Sequence, residues 1–144
     1  MDTAATPPVL GAMRAAPPRL TAAEAEEVAL GRFGRRGRAY LLPGERDQNF
    51  RIEAEGAPPL LLKVSNLGED LAVLRMQLRA LRQVAAADPE LPVPRVLPSE
   101  DGSELVSLPG GEAARMLTYL PGSHLRPADL SSEGLYRMGQ TSAR

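Results

Sequence analysis

The chain has 144 residues, a net charge of −1 and 43% hydrophobic side chains, the proportions of one soluble globular domain rather than of a basic nucleic-acid binder. It has no cysteine, which excludes a disulfide framework, a thiolate metal site and a cysteine nucleophile. No basic-then-apolar signal pattern opens it and its apolar runs fall far short of a membrane span, so no membrane association is expected and the cytoplasm is the default location.

Residues 1–19 are rich in alanine and proline without an apolar period and are expected to form a disordered tail. In LTAAEAEEVALGRFG (20–34), Thr21 and Glu24 have capping-box spacing and a glycine closes the segment, which predicts a helix over about 21–32. The following GRFGRRGRAY places four arginines among three glycines. A phosphate loop wants G-x-G-x-x-G in a strand context, and an RNA or DNA contact wants interleaved aromatics. Lacking both, the run reads as a solvated, mobile connector, and no nucleic-acid partner is expected.

From Arg38 the pattern becomes that of strands. Ala39–Leu42 is the first, and Asn49–Ala54 alternates Phe50, Ile52 and Ala54 with Arg51 and Glu53. Between them, LLPGERDQNFRI (41–52) predicts a hairpin, with Pro43-Gly44 opening the turn and Asn49 closing it. After the EGAPP turn, LLLKV (60–64) is the third strand. Then EDLAVLRMQLRALRQVAAAD sets Leu71, Leu74, Leu78 and Leu81 on one stripe, an amphipathic helix over about 69–86 that Pro89, Pro92 and Pro94 bring to an end.

Three extended segments follow, Arg95–Leu97, Glu104–Leu108 and Ala114–Leu120, separated by the Glu100-Asp101-Gly102 and Pro109-Gly110-Gly111 turns. Ser131 or Ser132 then caps the start of another helix. An antiparallel sheet with one long packed helix is an α+β arrangement.

One residue stands apart in composition. Of 17 basic side chains only Lys63 is lysine. In a chain that uses arginine wherever a cation serves, a single lysine is either a chance survivor or a compact point charge with a task that a planar guanidinium fits poorly.

These elements, in this order, resemble the N-terminal lobe of the protein-kinase-like fold. The segments LPGERDQNF, LLKVSN, MQLRAL, LPVPRVLPS, RMLTYLPG and LYRMG are similar to the aminoglycoside phosphotransferase family, most of all to its branch of hydroxylysine kinases and aminotransferase-fused phosphotransferases. The likeness runs from about residue 20 to the end of the sequence. It implies a five-stranded antiparallel sheet with one long helix over 20–122, and a linker with the start of a C-terminal lobe over 123–144.

The resemblance also implies a nucleotide site, for ATP or GTP with Mg²⁺, under the first hairpin. Lys63 would reach the inner phosphates and share its strand face with Leu61, which would touch adenine. Ile52 would complete the apolar roof, while Leu60, Leu62 and Val64 would face the long helix. Gly44 would give the hairpin tip close backbone approach and Arg46 a cation, with Asp47 and Asn49 bracing the turn. Leu117 would guard the back of the pocket, with Thr118 C=O and Leu120 N–H meeting the adenine edge. The helix carboxylate that pairs with the lysine in the family aligns with Gln77, and Asp70, two turns earlier, is the alternative.

Phosphoryl transfer further needs the family's H-x-D-x-x-x-x-N loop and a later metal-binding aspartate. The one histidine, His124, has Asp129 five residues on instead of two, so no catalytic residue and no metal ligand is expected in this sequence. The expectation is a nucleotide roof without turnover of its own, whose small-molecule acceptor belongs to a second lobe. The competing expectation is a non-catalytic interaction module that docks through an apolar patch at Leu120, Leu125 and Leu135.

Overall fold

In the computed structural model, which describes residues 15–123, 126 and 130–143, Thr21 opens the first helix, α1 (Ala22–Phe33). Its hydroxyl accepts from Glu24 N–H while the Glu24 carboxylate accepts from Thr21 N–H, the reciprocal box that the spacing predicts. Gly34 ends the helix in the left-handed region at φ 64°, donating its N–H to the last carbonyls. The glycine-rich connector is thus built into the fold. Gly37 lies so close to the second strand that a Cβ there would meet the Glu53 carbonyl oxygen at 2.7 Å.

Six strands form one antiparallel sheet: β1 (Arg38–Leu42), β2 (Gln48–Glu53), β3 (Leu60–Ser65), β4 (Val96–Leu97), β5 (Val106–Ser107) and β6 (Ala113–Thr118). The spatial order is β1-β2-β3-β6-β4, and β5 pairs with the other half of β6, one strand beyond the expected five. The long helix α2 (Leu71–Ala87) connects β3 to β4, capped by the Asp70 side chain on Ala72 N–H at 2.7 Å. A last helix, α3 (Ser132–Ser142), carries no buried residue.

The register decides which face each side chain joins. Phe50 pairs with Leu62 and Leu62 with Met116, so three side chains stack across β2, β3 and β6, all fully buried. Ile52, Val64 and Ala114 extend this face, and Ala25, Ala29 and Phe33 of α1 cover it. The opposite face carries Asn49, Arg51, Leu61, Lys63, Arg115 and Leu117, by the two-residue period of a strand.

Two expectations change here. Leu62 and Val64 face α1 rather than the long helix, and Leu60 packs against the same cluster. Ile52 lies with them, 2% exposed and register partner of Leu60, so it is turned away from Lys63. The alternation in Asn49–Ala54 shows that one face is apolar but not which helix covers it. The short capped α1 covers it, and the place expected for Ile52 belongs to Arg51, partner of Leu61.

Packing also begins slightly before residue 20. Pro18 is buried, and Leu20 exchanges both backbone groups with the Gln48 amide at 2.8 Å each. The rest of the expected tail, residues 1–14, lies outside the described residues, as do His124, Leu125 and Asp129.

Candidate functional site

Between the face of Lys63, the tip of the β1–β2 hairpin and the start of α2 lies an open cleft of about 290 Å³. The sheet contributes Asn49, Lys63 and Arg115, the hairpin tip Arg46 and Asp47, and the helix Leu74 and Gln77. The geometry follows from pairing: Lys63 is opposite Asn49 on one side and Arg115 on the other, so three polar side chains stand in a row across β2, β3 and β6.

Two cations side by side on a half-covered sheet need compensation. Asp47 supplies it from above, its Oδ2 lying 4.0 Å from Lys63 Nζ and 3.6 Å from Arg115 Nη2. Burial lowers the Lys63 pKa from the ordinary lysine range, the adjacent Arg115 charge lowers it further and Asp47 pulls it back. Burial also lowers that of Arg115, opposed by Asp47 and Glu69, though an arginine stays charged in such a site.

Arg115 donates to two neutral oxygens. Its Nη1 donates to Ser65 Oγ at 2.6 Å, and its Nη2 to Gln77 Oε1 at 3.4 Å. So Gln77, expected beside Lys63, is the partner of Arg115, and Asp70 is spent on capping α2. The nearest carboxylate to the lysine comes from the hairpin tip instead of the helix.

The tip itself is closely fitted. A Cβ on Gly44 would lie 2.5 Å from the Asp47 carbonyl oxygen and 2.9 Å from Asn49 Nδ2, so no side chain fits there without moving the turn. Arg46 at the rim pairs with Glu69, just before α2, at 2.9 Å, which ties the hairpin to the helix start. The expected brace residues, Asp47 and Asn49, therefore line the cleft, as does Arg46, which at the same time pairs with Glu69.

Further along the same face, Leu61 pairs with Leu117, forming an apolar step next to Lys63. Arg51 flanks it, with its guanidinium 5.6 Å from the Tyr40 ring centre and 5.8 Å from that of Tyr119. β6 ends at Thr118, whose N–H donates to Arg95 O at 2.9 Å and whose hydroxyl accepts from Arg95 N–H at 2.8 Å. Leu120 stands beyond the strand, 41% exposed.

Among the residues of the cleft, the sequence reading missed Arg115. Its signal was present: in AARMLT, five apolar or neutral residues surround a single arginine in a strand, and a buried charge there needs an assigned partner. Among the described residues, no group of three or more His, Asp or Glu side chains is arranged to hold a metal ion. No helix among them is long and apolar enough to cross a membrane.

An antiparallel sheet with a lysine on its third strand, a glycine-bearing hairpin above that lysine and a long helix after it defines a kinase-like N-terminal lobe. The sequence model described as APH, phosphotransferase enzyme family, matches residues 40–144, and the chain belongs to that family. No curated protein matches it significantly.

Solved structures share the fold at low identity. A spectinomycin phosphotransferase in complex with ADP and spectinomycin is 11% identical with TM-score 0.62, over 86% of this chain and 37% of its own. An amicoumacin kinase in complex with AMP-PNP, Ca²⁺ and Ami is 15% identical with TM-score 0.58, over 74% of this chain and 35% of its own. A microcompartment-associated aminopropanol kinase is 19% identical with TM-score 0.64, over 84% of this chain and 38% of its own. The chain thus spans little more than a third of the length of these structures.

Proposed function

We propose that this chain is the nucleotide-binding roof of an ATP- or GTP-dependent small-molecule phosphotransferase. The observation that carries the reading is the placement of Lys63, facing the same side as Leu61 and Leu117 and lining a cleft beneath the Gly44 tip. In this reading the purine rests on Leu61 and Leu117, its edge meets the backbone at Thr118 and Leu120, and Lys63 takes an inner phosphate. The donor set suits an anion: an ammonium and a guanidinium converge on one point.

Solved structures of the same fold in complex with ADP or AMP-PNP support the same ligand class. A Mg²⁺ ion would enter with the nucleotide and neutralise charge on its phosphates. In this reading its protein ligands and the site of the acceptor alcohol both belong to a C-terminal lobe. The 144-residue polypeptide, which lacks H-x-D-x-x-x-x-N, is therefore expected to bind nucleotide weakly and to transfer nothing.

The test is ADP binding to the 144-residue chain, with adenosine as the phosphate-free control. Binding of ADP that is tighter than adenosine and lost in Lys63→Ala supports the reading. Equal binding of both ligands, or indifference to Lys63→Ala, rejects it.

A second reading, the interaction module, draws on the exposed Leu120 and Leu135, 41% and 54% accessible, with no buried residue on α3. It gains ground only if nucleotide binding fails.

A further inference from the structure

Asp47 sits where an anion belongs but meets neither cation well. Its Oδ2 is 4.0 Å from Lys63 Nζ and 3.6 Å from Arg115 Nη2, whereas charge-assisted N–H···O⁻ bonds close to about 2.7–2.9 Å. The other contact of Arg115 Nη2, to Gln77 Oε1, is also long at 3.4 Å. Only Nη1 is firmly engaged, on Ser65 Oγ. In this arrangement the one carboxylate at the hairpin tip closes a short bond with neither cation. A phosphoryl group, with three oxygens to spread between them, is a better match.

Resting on the nucleotide reading above, we propose that Arg115 is a second phosphate-binding cation beside Lys63, and that Asp47 is an internal anion that the nucleotide phosphate displaces. Gln77 and Ser65 then act as positioning residues that fix the guanidinium plane with neutral oxygens. A glutamate at position 77 would neutralise Arg115, so glutamine keeps the charge available for the ligand. The Gly44 turn carries Asp47 at its tip, so displacement of the carboxylate lifts the hairpin by the room one phosphate needs, against the Arg46–Glu69 tie. The binding site and the latch over it are the same three charges.

The experiment compares ADP and adenosine affinity in wild type, Asp47→Asn and Arg115→Gln, and follows the Lys63 Nζ resonance by NMR as ligand-free protein is titrated with base. Asp47→Asn is expected to tighten ADP by about three- to tenfold, the scale of one screened ion pair, and to leave adenosine unchanged. Arg115→Gln is expected to weaken ADP by about tenfold with adenosine again unchanged. In the ligand-free protein, Asp47→Asn lowers the Lys63 pKa and Arg115→Gln raises it.

Asp47→Asn that binds ADP no more tightly than wild type, while wild type binds it through Lys63, overturns the displaced-anion inference and leaves the nucleotide reading standing. Loss of ADP binding in every variant and in wild type overturns both. Should Arg115→Gln fail to fold, the Asp47→Asn affinities and the Lys63 titration still decide.

Discussion

Lys63 and Arg115 are register partners across β3 and β6, so two positive charges stand on the same face of the sheet with Asp47 between them. Such an arrangement costs stability, because like charges repel and burial penalises each of them. A binding site for a polyanion would carry that cost, since ligand phosphates reverse its sign on arrival.

Removing the lysine charge is therefore expected to lower function while sparing the fold. Lys63→Met keeps the apolar stem and deletes the ammonium. Its melting temperature at pH 7 is expected to equal or exceed that of wild type while ADP binding is lost. Thermal unfolding and calorimetric titration on the same sample check both halves.

The same charge sets an alkaline pH dependence. The folded pKa of Lys63 lies below 10.5 through burial and Arg115, so between that value and 10.5 the unfolded chain binds more protons than the folded one. Stability from this group accordingly rises with pH across that window, by linkage. Lys63→Met is expected to flatten the rise, as measured by urea unfolding at a series of pH values below 10.5.

Ile52 and Leu61 provide a test of the two faces. Ile52→Ala opens the core under α1 and is expected to cost about 2–5 kcal/mol, with ADP affinity of the folded protein unchanged. Leu61→Ala, on the cleft face, is expected to cost less stability and to weaken adenosine and ADP alike. Chemical denaturation and titration of each variant separate the outcomes.

Much of this was legible in the sequence, for identifiable reasons. The Thr21–Glu24 box is a local pattern and formed as spaced. The Leu74 and Leu78 stripe follows helical periodicity and is buried, whereas Leu71, at the first turn, stays 43% exposed. Lys63 stood out because arginine replaces lysine everywhere else. The face of Ile52 was not legible, because period-two alternation divides a strand into two sides without saying which helix packs on which. Arg115 was passed over because its partners, Ser65, Gln77 and Asp47, lie 50, 38 and 68 residues away in sequence and meet it only through the sheet register and the helix docking.

Gly44→Ala tests the hairpin tip. The added methyl meets the Asp47 carbonyl oxygen at 2.5 Å, a backbone atom that cannot rotate aside. The turn must shift, at a cost of about 1–3 kcal/mol, and ADP affinity is expected to fall with it. Denaturation midpoints and ADP titration measure the two effects.

At acid pH a separate site takes over. Ser99 Oγ lies 2.6 Å from Asp101 Oδ1 and, with Ser103 N–H, holds the Asp101 carboxyl down from 3.8 to about 2. The folded pKa is depressed, so this contribution is present above 3.8 and is lost as pH falls through about 2. Ser99→Ala is expected to shrink the acid slope in that window, as read by thermal unfolding between the two values.

The central claim is that the cleft at Lys63 receives the phosphates of a nucleotide. The most direct measurement is an NMR titration of the 144-residue chain with ADP, following backbone and side-chain resonances on both faces of the sheet. The account expects shifts at Asn49, Leu61, Lys63, Arg115 and Leu117, all abolished in Lys63→Ala. Shifts confined to Ile52, Leu60 and Leu97 on the opposite face, or none at any ADP concentration, would contradict it.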